Sequence, residues 1–236
     1  LTNRLAAGIV LVALAIAPAQ AKRRDLPPGT GTANPSVLIA TEIAFARMAR
    51  EKGQWTAFRE FSDEDAVMFE PQAVRAQDWL ARQKNPAAPV QWQPYQVWMS
   101  CDGTVGVTKG AWQQPGGPSG YYTTVWKRQK KGVYRWVLDQ GDTLAEPLPA
   151  PDMLSASVAD CAPRGSAAVP VDVSGAPIVV KPSREAGAQG GGRSDDGTLT
   201  WSYTTAPDNA RTVVVSIRKG EQMKQVLLAE VPGGKR

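Results

Sequence analysis

Histidine is missing from all 236 residues, and cysteine occurs only twice. Without an imidazole, neither a Ser-His-Asp nor a Cys-His triad can be built. Nor can histidine ligate zinc or shuttle protons near neutral pH. Two cysteines cannot supply the roughly four thiolates that an all-cysteine zinc site or an iron–sulfur cluster takes. Gly190-Gly191-Gly192 lacks the lysine and hydroxyl of a phosphate loop. Asp195-Asp196-Gly197 lacks the other ligands of a calcium loop and reads as a turn. No metal and no cofactor is expected. No internal repeat and no heptad is evident. Any chemistry falls to carboxylates, Lys, Arg, Tyr or hydroxyl groups.

What is present points first to a compartment. Arg4 precedes an apolar run from Leu5 to Ala17, and Ala19-Gln20-Ala21 follows. A basic n-region, a short apolar core and an A-x-A ending make a secretory signal peptide, with cleavage after Ala21. A membrane span needs ~20 apolar residues, so no transmembrane segment is expected in the mature chain. The expected location is the periplasm. In an oxidising compartment Cys101 and Cys161 read as a disulfide. Closing a loop of ~60 residues is worth roughly 4 kcal/mol in the chain-entropy model.

Residues 22–33 are rich in Pro, Gly and Thr and read as a disordered mature N-terminus. Asn34-Pro35 opens a helix that Gly53 ends, with Val37, Ile43, Ala44, Phe45 and Met48 on its apolar positions. Trp55, Phe58 and Phe61 mark a second short helix. Asp63-Glu64-Asp65 breaks the pattern before a short strand from Ala66 to Phe69, which Pro71 stops. A third helix is expected over 74–83. Strands follow near 90–99, 104–112, 120–129 and 133–140, separated by turns at Cys101-Asp102-Gly103, 114–118 and Lys130-Lys131-Gly132. Hairpin-length loops give an antiparallel meander. The fold class is therefore α+β: a cone-like curved antiparallel sheet wrapped by three N-terminal helices, spanning 34–145. Residues 146–197 read as a Pro/Gly/Ala-rich linker. A small three-stranded β meander over 198–232 is too small to stand alone and is expected to dock.

The stretch 44–71, AFARMAREKGQWTAFREFSDEDAVMFEP, resembles the opening of the nuclear-transport-factor-2-like fold, which includes ketosteroid isomerase and the SnoaL-like cyclases. The stretch GYYTTVWKRQKKGVYRWVLDQGD resembles its closing hairpin. The resemblance implies a cone that binds or converts a small molecule, and a homodimer. It places Glu70, just before Pro71, where the isomerase carries its general base. Asp139 is a second carboxylate for an acid/base pair, with Asp142 near it. The isomerase's tyrosine on the first helix has no counterpart between Val37 and Lys52, and Thr124 stands where its acid would be. Steroid isomerisation is therefore not expected.

Phe69, Trp79, Trp92, Trp112, Tyr122, Thr124 and Trp126 are the expected lining of the cone. Aromatic walls with a few polar groups suit a small apolar or amphipathic ligand. Lys127, Arg128, Lys130, Lys131 and Arg135 form a basic hairpin, read as a solvated edge. Nucleic acid is not an expected partner. The leading expectation is a non-catalytic binding module. The alternatives are an acid/base isomerase, lyase or cyclase using Glu70, and an envelope module that interacts through its C-terminal strands.

Overall fold

The computed structural model describes residues 32–161 and 187–234. The signal peptide, nearly all of the 22–33 segment and residues 162–186 of the expected linker lie outside the described residues.

Helix α1 spans Pro35–Lys52. The Asn34 side chain accepts a hydrogen bond from the Ser36 N–H, and Pro35 occupies the first turn, where its missing N–H costs nothing. Leu38, Glu42, Phe45, Ala46 and Ala49 face inward. Gly53 ends the helix at φ 101°. A side chain there would also collide with Asn85, whose carboxamide oxygen accepts from the Trp55 and Thr56 N–H groups. Asn85 thus caps helix α2 (Gln54–Phe61) from about thirty residues downstream. Strand β1 (Ser62–Phe69) follows, then β2 (Ala73–Arg75) and helix α3 (Ala76–Leu80).

Strands β3 (Gln91–Met99), β4 (Val105–Gln113), β5 (Ser119–Arg128) and β6 (Tyr134–Leu144) form the antiparallel meander. The complete sheet, however, has seven strands in the order β2-β1-β6-β5-β4-β3-β7, with β7 at Ser155–Val158. It is mixed rather than antiparallel, because β1 runs parallel to β6 and β7 runs parallel to β3. In both pairs the strands are far apart in sequence and no hairpin joins them, so no tight turn dictates their direction. The acidic run 63–65 belongs to β1 instead of interrupting it. Its side chains lie at the sheet margin, where Asp65 pairs with Arg75 at 3.1 Å and Asp63 accepts from Gln129 at 3.0 Å.

A second, four-stranded sheet has the order β11-β10-β9-β8: β8 (Gln189–Arg193), β9 (Leu199–Thr205), β10 (Arg211–Lys219) and β11 (Gln222–Val231). The expected linker therefore contains two strands, and the C-terminal meander has four. The glycine triplet lies in β8, where the rings of Tyr203 and Trp201 lie close over Gly190 and Gly192 and leave no room for a Cβ.

Three layers result. Leu38, Phe45, Ala49, Met68, Leu80, Met99, Trp126 and Trp136 fill the space between the helices and the inner face of the large sheet. Val67, Phe69, Val107, Val125 and Leu138 point the other way and meet Leu199, Tyr203, Val213, Val215 and Leu227 of the second sheet. Alternation along each strand sorts its residues between these cores. Both faces of the large sheet are thus covered.

Cys101 and Cys161 form a disulfide with Cα atoms 5.2 Å apart. It holds the segment after β7 against the β3–β4 turn. The next contacts run on to the second sheet: Asp160 N–H donates to the Arg218 carbonyl at 2.9 Å, and Lys219 Nζ donates to the Val158 carbonyl at 2.9 Å.

Candidate functional site

The helices and the inner face of the large sheet enclose a cavity of about 340 Å³. Its aromatic wall comprises Phe45, Trp55, Phe58, Trp92, Trp112 and Tyr122. At the end where β1 and β6 separate it reaches Phe69, Glu70, Asp142 and Arg211. Five of the seven expected lining residues are brought together here: Phe69, Trp92, Trp112, Tyr122 and Thr124. Two are not. Trp126 is fully buried, and its indole N–H is spent on Thr108 Oγ1 at 2.9 Å. Trp79 packs edge-on against Trp55, with ring centroids 5.1 Å apart, behind the wall. The Trp112 indole lies where a side chain at Gly120 would stand, so that glycine gives the ring its place.

Two polar groups converge on the floor. Asp139, on β6, accepts a hydrogen bond from Thr124 Oγ1 at 2.6 Å across the β5–β6 pairing. The carboxyl lies deep beneath the protein surface yet opens onto the cavity, so the side chain keeps partial access. Burial pushes its pKa up to about 7, with Glu42 and Glu70 adding to the rise and Thr124 and Arg211 opposing it. Tyr122 is 7% exposed, and its hydroxyl has no hydrogen-bond partner among the described residues. Burial raises its pKa well above the ordinary value, and the neighbouring Glu42 and Asp139 reinforce the shift. A buried hydroxyl without a partner inside a cavity invites one from a ligand.

The two expected catalytic carboxylates occupy different settings. Glu70 lies exposed at the mouth, past the end of β1, where its N–H donates to the Gln72 carbonyl at 2.8 Å. Asp139 is the enclosed one. Arg135 donates to the carbonyls of Glu60 and Ser62.

Phe45, Trp55 and Phe58 of the helices join the wall although they were not among its expected residues, and two charged residues, Glu42 and Arg211, also escaped the sequence reading. Glu42, completely buried in α1, accepts from Trp92 Nε1 at 2.8 Å and from Thr108 Oγ1 at 2.6 Å. It fixes a cavity tryptophan from behind, and desolvation raises its pKa to about 7 against those hydrogen bonds. The spacing Leu38-Glu42-Phe45-Ala49 places it on the inward ridge of the helix, and that signal was available. Arg211, at the start of β10, is 5% exposed and reaches the cavity from the second sheet. Its guanidinium lies 5.0 Å from the Phe69 ring centroid and donates to the Gln140 side chain and the Gly141 carbonyl. Nothing local in the sequence marks this long-range placement.

Among the described residues, no cluster of three His, Cys, Asp or Glu could hold a metal ion. No described helix is long and apolar enough to cross a membrane.

A comparison with protein-family models finds no match, and a comparison with curated proteins finds none. Solved structures give partial likenesses. A candidate ketosteroid isomerase from Parabacteroides distasonis aligns with a TM-score of 0.38 at 15% identity, over 49% of this chain and 97% of its own. A candidate aromatic ring hydroxylase from Novosphingobium aromaticivorans gives 0.35 at 13% identity, over 48% of this chain and 90% of its own. A nuclear-transport-factor-2-like protein of unknown function from Mesorhizobium loti gives 0.30 at 15% identity, over 47% and 93%. Each of these likenesses is at low identity and covers about half of this chain.

Proposed function

We propose that the chain binds a small amphipathic molecule in the cavity between its helices and the large sheet. The observation that carries this reading is the pairing of an aromatic wall with two polar groups at its floor, Asp139 and the unpartnered Tyr122 hydroxyl. The volume suits a ligand of one or two fused rings. Its apolar body would stack on Trp92, Trp112 and Phe58, and a hydroxyl or carbonyl would meet Tyr122 and Asp139. With Asp139 balanced near pH 7, the carboxyl can either donate or accept.

Native mass spectrometry of protein from its own cells tests this, followed by fluorescence titration with planar phenols and ketones. Trp55, Trp92 and Trp112 line the cavity, so a bound ring perturbs their emission. Tyr122→Phe should weaken binding by about tenfold, the value of one buried hydrogen bond. A clean apo mass together with an unresponsive emission spectrum would refute the proposal.

A second reading is acid/base turnover of the same ligand, with Asp139 moving the proton and Glu70 at the mouth assisting. A cavity-facing carboxyl with a pKa of about 7 favours it. Deuterium exchange at the α-carbon of bound ketones would then be catalysed and abolished by Asp139→Asn. Binding without exchange leaves the non-catalytic reading.

The disulfide and the N-terminal segment support export to an oxidising compartment. N-terminal sequencing of the cellular protein should then begin at Lys22. A cytoplasmic protein with an intact leader would rule this out.

A further inference from the structure

The turn between β3 and β4 reads Ser100-Cys101-Asp102-Gly103-Thr104-Val105, and the turn between β8 and β9 reads Ser194-Asp195-Asp196-Gly197-Thr198-Leu199. The two are built alike. Asp102 Oδ1 accepts from Ser100 Oγ at 2.6 Å and from Thr104 N at 2.9 Å; Asp196 Oδ1 accepts from Ser194 Oγ at 2.6 Å and from Thr198 N at 3.0 Å. The turns also clasp each other reciprocally. Asp102 N donates to Asp196 Oδ2 at 2.9 Å, and Asp196 N donates to Asp102 Oδ2 at 2.9 Å. Cys101 N donates to Thr198 Oγ1 at 2.8 Å, and Asp195 N donates to Thr104 Oγ1 at 3.0 Å.

The correspondence continues along the strands. Val105 pairs with Lys127 and Val107 with Val125 in the first sheet; Leu199 pairs with Ile217 and Trp201 with Val215 in the second. Arg128 N donates to the Thr104 carbonyl, and Arg218 N donates to the Thr198 carbonyl, both at 2.8 Å. The register to the next strand slips directly after Val125 in one sheet and directly after Val215 in the other. Val125 then faces Leu138, and Val215 faces Leu227. At the far end Tyr121 donates to the Glu230 carbonyl, while Arg211, its counterpart, donates to the Gly141 carbonyl, the counterpart of Glu230.

Contacts in which residue i meets j′ and j meets i′ are the mark of a two-fold, isologous interface. A bulge at the same place in two sheets is not expected of unrelated meanders. We infer that β8–β11 is an internal second copy of β3–β6, and that it serves the outer face of the large sheet as the partner that another chain would otherwise be. The interface is closed within one polypeptide. A homodimer through this face is excluded by the same packing. The second copy also completes the cavity, because Arg211, standing where the first copy has Tyr121, is the residue it contributes there.

The test uses the full chain. Asp102→Asn and Asp196→Asn are made singly and together, and unfolding midpoints are read beside sedimentation equilibrium. The two-fold predicts equal shifts for the single variants. Reciprocal bonding predicts a double variant shifted by clearly less than their sum. The wild type should sediment as one chain. Thr104→Val and Thr198→Val form a second equivalent pair should the Asp variants fail to fold. Unequal, additive shifts in both pairs would overturn the duplication. A wild-type dimer that either substitution dissociates would place this face between chains and overturn the closed interface.

Discussion

Glu42 is the residue whose burial has the clearest thermodynamic consequence. Its carboxyl ordinarily titrates near 4.5, and Asp139 near 3.8, but both stand at about 7 in the fold. Between those limits the native chain holds protons that the unfolded chain has released, so stability falls as pH rises through this window. It levels off above it. A shift of that size corresponds to roughly 3 kcal/mol for a group acting alone. The melting temperature should therefore be higher at pH 5 than at pH 8. Glu42→Gln should flatten the profile and gain on the wild type at pH 8. A wild-type profile that rises from pH 5 to pH 8 would mean that both carboxyls are ionised in the fold. The part of the aromatic wall that the strands supply was legible in their alternation, as Trp92, Trp112 and Tyr122 show. Trp126 shares that alternation but is buried deeper under α1, and only the packing of the helix separates the two cases.

Elements were legible where local chemistry decides them and obscure where pairing does. Strands β3 to β6 lie within a residue or two of the expected ranges, because β-rich segments alternate with Gly/Pro/Asp turns; only β6 runs on, to Leu144. Helix α1 has its cap, its proline and its terminal glycine written in place. Strand β7 is Ser-Ala-Ser-Val and β8 is Gln-Gly-Gly-Gly-Arg, sequences with little strand propensity. They are strands because β3 and β9 offer them open edges. Helix α3 is shorter than expected because β2 claims its first residues and turns bonded from Arg82 to Trp79 and from Gln83 to Leu80 replace its end. The link between α2 and Asn85 is also long-range, and it can be measured. Asn85→Ala removes the oxygen that caps the Trp55 and Thr56 N–H groups, and should cost about 1 kcal/mol in urea unfolding. A loss within error would mean that water caps α2 equally well.

At the scale of the molecule, the helices, the large sheet and the second sheet share two cores, so a single cooperative transition is expected in denaturant. The repeated Ser-x-Asp-Gly-Thr turn was present in the sequence, but two short matches 94 residues apart are faint when one copy is flanked by Trp98-Met99 and the other by glycines. Reducing the disulfide should lower stability by about 4 kcal/mol in the loop-entropy model. A reduced protein as stable as the oxidised one would show that the β7 strap holds without its cross-link.

The strap has one more consequence, which concerns time. Cys161 is brought to Cys101 by the pairing of β7 with β3, which lies about sixty residues upstream. Pairings this distant in sequence form slowly, on the millisecond-to-second scale of sheet proteins. The two thiols therefore meet only after the meander exists to receive them, and their oxidation keeps a record of how far folding has gone. Acid-quenched alkylation during refolding would read it directly: thiol loss should trail the recovery of strand signal, and the cross-link would be the clock that closes the process.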